Sequence, residues 1–451
     1  MIKKSVSVLL CVITIFSLAN CVIAENEISP EVIPQKKEIS AASPNVILAD
    51  LSNGMIIYEK NSEERVYPAD LTKIMTAVLV LEKCKLEDSI TASETAVSNV
   101  KTGDSKLGLV KDEVLSVRQL LYAMLLGSAS DASNVLAEKA SGSIEEFVVL
   151  MNQKAKDLGM NNTNFTNPTG EHDERHYTTA TDMVKLVLFA MQSEEFREIV
   201  KCDSYSIPAT NKNTSAHKVV NTNHFVSRLK RSDYYYKHST GIKTGYTQEA
   251  KSCIAASARK NGMDLIALVF GAETVDNVAQ SFKDCKNMFD FTFENYVKKD
   301  VVDEGEIVAQ IKVENTRRNN KLILKTDKEL SVINHKDEAE LKITYKDSLP
   351  AKKSAPVKEK EVIGKREYFI GGKSIGSVNL VADKDYALDP ITFVINKMIA
   401  FVTSPWLYVT IILIIVFLVI LERRRRRILR RKRREARARR SREMVQKLNE
   451  M

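Results

Sequence analysis

Cysteine is scarce in this sequence, six residues in 451. Cys11 and Cys21 fall in the N-terminal segment, and Cys84, Cys202, Cys253 and Cys285 are scattered through the rest. That spacing excludes a disulfide framework; one bridge is permitted and none is required. Histidine is equally rare, six residues in all. His172 and His176 have no cysteine or carboxylate at metal-ligand spacing, so both read as polar loop residues and no metal centre is expected. No internal repeat is visible, which excludes a solenoid. A net positive charge is missing from the body of the chain despite a total of +9. The stretch from Arg423 to Met451 carries fifteen Lys and Arg against three Glu, or +12, and leaves −3 for everything before it. The body therefore makes no case for nucleic-acid binding. With 44% hydrophobic and 28% charged residues, global disorder is excluded too, and the length allows two or three domains.

Two apolar runs carry the membrane signals. Lys3 and Lys4 precede Val6 to Leu18, and Val22-Ile23-Ala24 offers small residues for cleavage, so residues 1–24 read as a secretory signal. An uncleaved anchor is the alternative. A lipoprotein reading through Leu18-Ala19-Asn20-Cys21 is weaker, because Asn is a poor neighbour for an acylated Cys. The second run, Phe401 to Leu421, has 21 residues and no charge, about the length that crosses a bilayer. Trp406 and Tyr408 stand at one end, and Glu422 with Arg423 through Arg427 at the other. The positive-inside rule then puts the basic tail, 422–451, in the cytoplasm and the body outside. The tail is expected to be helical and to lie on anionic lipid, with nucleic acid as the lesser reading.

Between these runs the pattern divides. Residues 25–44 read as a linker with Pro30, Pro34 and Pro44. From 45 to 297, apolar runs at Val46–Leu51 and Met55–Tyr58 flank Asn53-Gly54, and Ile254–Ala258 and Leu265–Phe270 flank Asn261-Gly262, two hairpin signals. Helical spacing begins near Pro68-Ala69-Asp70 and recurs through Val117–Leu126, Asp131–Ala140, Ile144–Leu158 and Ala180–Ala190. Val275 to Val297 reads as one long closing helix. Strands at both ends with helices between imply an α/β domain on an antiparallel sheet. Residues 298–386 alternate in short runs, Glu306–Val313, Lys321–Leu324, Glu340–Tyr345 and Gly376–Val381, with a turn at Gly371-Gly372. That is the pattern of a small β-sandwich.

Three short motifs carry the chemistry. Pro68-Ala69-Asp70-Leu71-Thr72-Lys73-Ile74-Met75-Thr76 opens a helix, Ser128-Ala129-Ser130 follows, and Lys243-Thr244-Gly245 comes near the end of the first domain. In order and spacing they resemble the serine-type D-alanyl-D-alanine carboxypeptidases, the low-molecular-mass penicillin-binding proteins. That family has Ser-x-x-Lys, Ser-x-Asn and Lys-Thr-Gly at these places. The resemblance spans most of residues 44 to 421. It implies an α/β penicillin-binding transpeptidase/β-lactamase-like domain, then a small all-β domain and a C-terminal transmembrane helix. It also implies no cofactor, peptidoglycan stem peptides and β-lactams as ligands, and other cell-wall enzymes as partners.

The family's roles carry over residue by residue. Positions i and i+3 share a helix face, so a serine at 70 would meet Lys73, and a neutral lysine would take its proton. Ser128 would pass a proton to the leaving amine. The residue at 130, an asparagine in the family, would hold the substrate amide. Lys243, Thr244 and Gly245 would bind the terminal D-Ala carboxylate. This chain departs at two positions, Asp70 for the serine and Ser130 for the asparagine, and Lys251 stands where the family has glycine. A carboxylate at 70 favours the ammonium form of Lys73 and is a poor nucleophile toward an amide. Thr72, about 200° around the helix, cannot replace it. Asp70 also suits the first turn of a helix on dipole grounds alone. Ser128 could instead cap the helix near Asp131, and Lys243 could be an exposed strand lysine. Three readings follow: an impaired member that still recognises stem peptides or a cell-wall enzyme, an active carboxypeptidase using Ser128 or Ser130, or a membrane-anchored interaction protein.

Overall fold

A computed structural model describes residues 38–449, apart from 230–231, 276–277, 318–320 and 338–340. The expected signal at 1–24 and the linker up to residue 37 lie outside the described residues. Strands β1 (Asn45–Asp50) and β2 (Ile56–Lys60) form the first hairpin. Helices α1 (Thr72–Lys83), α2 (Val117–Gly127), α3 (Ser130–Ser141), α4 (Ile144–Asp157) and α5 (Ala180–Ala190) follow. Strands β3 (Ser239–Thr247), β4 (Lys251–Lys260) and β5 (Met263–Ala272) complete an antiparallel sheet in the order β2-β1-β5-β4-β3. The turn from β4 to β5 is Asn261-Gly262, both at positive φ (53° and 75°), the backbone that a two-residue hairpin requires.

Strand β1 is buried along its whole length because both sheet faces are covered. Ile47 and Ala49 join the core made by α1 through α5. The other face is covered by α6 (Gln280–Asn295), with Cys285, Met288 and Phe289 buried. This helix is shorter than the Val275–Val297 expected. Thr274 and Val275 are extended, and from Tyr296 the chain pairs with a distant strand. Val297, Val301 and Val302 supply the β-branched character that favours the sheet there.

The all-β region runs β6 (Tyr296–Val302), β7 (Ile307–Glu314), β8 (Lys321–Thr326), β9 (Leu330–His335), β10 (Ile343–Ser348), β11 (Lys352–Ser354), β12 (Val362–Ile370) and β13 (Lys373–Ala382). Six strands pair in the order β10-β12-β13-β8-β7-β11, and β6 pairs with β9. Gly371-Gly372 is the β12–β13 turn, as the sequence implied. Leu322, Leu324, Val378 and Leu380 centre its core.

Two helices close the chain, α7 (Pro390–Val402) and α8 (Pro405–Asn449). The expected span from Phe401 therefore straddles a break. Phe401 and Val402 end α7, and Pro405, which lacks an N–H and suits a first helical turn, opens α8. Helix α8 is long and apolar enough to cross a membrane. From Pro405 to Leu421 it measures about 26 Å at 1.5 Å per residue, close to the ~30 Å hydrocarbon core.

His176 is not the loose loop residue the sequence implied. It is 2% exposed and packs edge-on against Phe165. The Thr166 N–H donates to Nδ1 at 3.2 Å, so Nε2 carries the proton toward Thr72 Oγ1 at 2.8 Å. Burial holds its pKa down at about 4. The folded protein keeps this ring neutral while the unfolded chain protonates it near its ordinary value of 6.5. Stability contributed by the neutral ring is thus present above pH 6.5 and lost as pH falls toward 4, by roughly 3 kcal/mol in all. Unfolding free energy measured between pH 4 and 7 is expected to fall with acid, and His176→Gln to flatten that slope; an equal slope in both proteins would show that His176 is not the group responsible.

Candidate active site

The first turn ahead of α1 holds Ala69 at φ 47° and turns Asp70 into a cleft of about 330 Å³. Asp70 makes no capping bond to the helix backbone; its Oδ1 instead accepts from Lys73 Nζ, three residues on. Lys73 is fully buried, and its remaining protons go to the Thr169 carbonyl at 2.6 Å and to Ser130 Oγ at 3.4 Å. An ammonium has three donors, and all three are engaged. The other carboxylate oxygen of Asp70 accepts from the Tyr246 N–H on β3 at 3.4 Å.

Two glycines permit this approach. A Cβ on Gly245 would lie 2.8 Å from the Asp70 nitrogen, and one on Gly170 would lie 1.9 Å from the Ala69 carbonyl. Gly170 stands at φ +86°, and its loop is shaped by Asn167, whose Oδ1 accepts from the Gly170 N–H at 2.8 Å.

Ser128 ends α2 in the left-handed conformation (φ 60°) and does not cap α3, whose capping position is Ala129. Its hydroxyl accepts from Lys243 Nζ. Lys243 is fully buried in β3, not exposed, and burial lowers its pKa to about 8, with the charge of Asp70 opposing the shift. Its other acceptors are the Thr244 carbonyl at 2.9 Å and Thr222 Oγ1 at 3.5 Å. Thr244 donates to Thr222 Oγ1 at 2.8 Å, and Gly245 follows against residue 70. All seven residues singled out in the sequence are thus brought to one place. Lys251, at the start of β4, has φ 55°, the left-handed backbone that favours glycine, and pairs with Glu273.

The sequence reading missed four contributors. Thr222 joins Lys243 to Thr244, placed by Asn221, which donates to the Val200 and Cys202 carbonyls. The Thr169 carbonyl and the Tyr246 N–H are backbone groups and leave no side-chain signal. Asp131, read only as a helix start, accepts from the N–H groups of Leu107, Gly108 and Leu109 at 2.8–2.9 Å. It thereby holds the loop that brings Asp104 to the cleft. Burial pushes the Asp104 carboxyl up, against the pull of Lys73. Among the described residues, no cluster of His, Cys, Asp or Glu is arranged to hold a metal ion.

Comparison with known proteins places this geometry. Residues 31–274 match the family described as D-alanyl-D-alanine carboxypeptidase, and residues 296–387 match the C-terminal domain of penicillin-binding protein 5. The D-alanyl-D-alanine carboxypeptidase DacF of Bacillus subtilis is 35% identical over 360 residues, covering 77% of this chain and 87% of its own. DacA of Haemophilus influenzae is 30% identical over 349 residues, covering 75% and 84%. The crystal structure of penicillin binding protein 5 from Haemophilus influenzae superposes with a TM-score of 0.61 at 27% identity, covering 78% of this chain and 99% of that one. A Streptococcus pneumoniae peptidoglycan synthesis regulatory factor shares the fold at a TM-score of 0.66 and 22% identity, covering 77% of this chain and 100% of that one. With its α/β domain, its all-β domain and the cleft between α1, α3 and β3, this chain belongs to the D-alanyl-D-alanine carboxypeptidase family.

Proposed function

We propose that this chain is a catalytically impaired family member that recognises the D-Ala-D-Ala ends of peptidoglycan stem peptides, or a cell-wall enzyme, without cleaving the peptide. The observation that carries the reading is the Asp70 carboxylate, bonded to Lys73 and facing the Tyr246 N–H. At the position of the family's nucleophile there is no hydroxyl to acylate. Lys73 has no proton-accepting role while its three donors are engaged. The N–H aimed at this spot meets a carboxylate instead of an incoming carbonyl oxygen. Lys243, Thr244 and Thr222 still form a polar, cationic wall suited to a peptide carboxylate.

A second reading rests on Ser128. Its hydroxyl touches a buried lysine whose pKa of about 8 leaves roughly a tenth of it neutral at pH 7. In that reading Lys243 takes the Ser128 proton, and the chain is an active carboxypeptidase with a relocated nucleophile. An interaction protein that leaves the cleft empty is the third.

The ectodomain, residues 25–400, is expected to form no stable adduct with penicillin and to release no D-Ala from a stem pentapeptide. Intact-mass spectrometry checks this; a stoichiometric adduct on Ser128 would replace the first reading by the second.

Asp70→Ser is expected to restore measurable penicillin acylation. It returns a hydroxyl to the Lys73 face and removes one of that lysine's acceptors. Without an amide at 130 the acyl group sits less well, at a cost on the order of a hundredfold in rate. The double change with Ser130→Asn should therefore exceed the single. If neither folded variant is acylated and the wild type binds no stem pentapeptide, the interaction-protein reading stands.

We further propose that α8 spans the membrane, with residues 25–399 outside and the tail from Arg423 in the cytoplasm; five consecutive arginines just after the uncharged stretch support that orientation. Protease added to intact protoplasts should destroy the body and spare a tag at Met451; loss of the tag would refute that orientation.

A further inference from the structure

Helix α7 touches the all-β domain on one side only. Asp389 caps it, accepting from the Thr392 N–H at 3.0 Å, and Asn396 donates to Asn315 at 2.9 Å. Ile391, Val394, Ile395, Met398 and Val402 recur at i, i+3, i+4, i+7 and i+11. Each leaves about half or more of its surface exposed. An apolar stripe of this kind has no reason to face water. Only Thr403 and Ser404 separate it from Pro405, where the membrane-length helix begins. With α8 in the membrane, that continuity places the stripe against the bilayer, because α7 is tethered two residues from the hydrocarbon.

A cavity of about 550 Å³ opens between α7 and the end of β7, lined by Lys312, Glu314, Arg317 and Lys352 opposite Thr392 and Asn396. Glu314 is taken by Lys352 at 3.0 Å. Lys312 and Arg317 have no salt bridge among the described residues. With α7 seated in the interface, this cationic cavity stands at the depth of the lipid headgroups.

We propose that the cavity between α7 and β7 binds the phosphate of an anionic phospholipid in the leaflet facing the folded domains, with Lys312 and Arg317 as its charged contacts. Held there, the lipid joins the β-domain to the bilayer, so the domain is set at a defined height instead of swinging on Thr403-Ser404. The proposal rests on the membrane-spanning reading of α8.

The test uses the full chain in nanodiscs containing phosphatidylglycerol with a photoreactive headgroup, and cross-linked peptides are mapped. Cross-links are expected within residues 312–317 and 392–400, at least about fivefold above those from a phosphatidylcholine probe. The double variant Lys312→Ala, Arg317→Ala is expected to lower them by roughly twenty-fivefold, at about fivefold per cation removed. Both residues are exposed, so folding is not at risk, and cross-links to the Arg-rich tail serve as the unchanged control. Equal yields from the two lipids, or yields the double variant does not alter, would overturn the proposal. A second lipid, photoreactive at mid-chain, should label residues 409–418. If it does while the cavity stays unlabelled, this inference alone falls; if 409–418 is missed, the spanning reading falls and takes the inference with it.

Discussion

The buried ammonium of Lys73 is the constraint around which the cleft is arranged. It sits at the N-terminal end of α1 with no exposed surface, and a charge so placed is costly unless every donor is met. Its three acceptors come from three different parts of the chain: Asp70 in the preceding turn, the Thr169 carbonyl in a loop, and Ser130 at the start of α3. Gly170 and Gly245 exist where the loop and β3 must come within contact of the backbone at 69–70. Removing either partner leaves the other without its opposite charge, and the cost falls on Lys73, which is fully buried, more than on Asp70, whose carboxylate is partly exposed in the cleft. Asp70 therefore supplies the one charged acceptor among the three that hold Lys73 in place.

The two buried lysines have opposite surroundings. Lys73 faces a carboxylate; Lys243 faces only hydroxyl and carbonyl oxygens, and burial lowers its pKa to about 8. The cleft thus has one end, at Asp70–Lys73, where opposite charges are paired, and another, at Lys243–Thr244–Thr222, where the lysine is met by uncharged oxygens. At residue 70 the side chain facing the cleft is a carboxylate bonded to Lys73.

How much was legible in the sequence depended on how local the deciding force was. The hairpins at Asn53-Gly54, Asn261-Gly262 and Gly371-Gly372 depend on residues that tolerate positive φ and were read correctly. Helices with clear periodicity, such as Ala180–Ala190, were read to the residue. Where a distant strand competed, the reading failed. Val275 to Val297 has helical character throughout, but Tyr296–Val302 pairs with Leu330–His335, and pairing partners are invisible to a local window. His176 was misread for the same reason. Its role comes from Thr72 and Phe165, one of them 104 residues away.

The sequence alone determined the motif residues, the i, i+3 meeting of Asp70 with Lys73, and an uncharged helix of membrane length followed by arginines. These follow from helix geometry and from the cost of burying charge in hydrocarbon, which need no tertiary context. Only the tertiary structure decided the donors and acceptors that complete the cleft. Ser128 meets Lys243 across 115 positions, and Tyr246 meets Asp70 across 176. It also decided that Lys243 is buried and that the chain breaks at Thr403-Ser404 to leave α7 with an open apolar side. Such contacts arise because packing brings remote backbone and side-chain groups together in a space that water has left, and burial there sets the charge each group can hold.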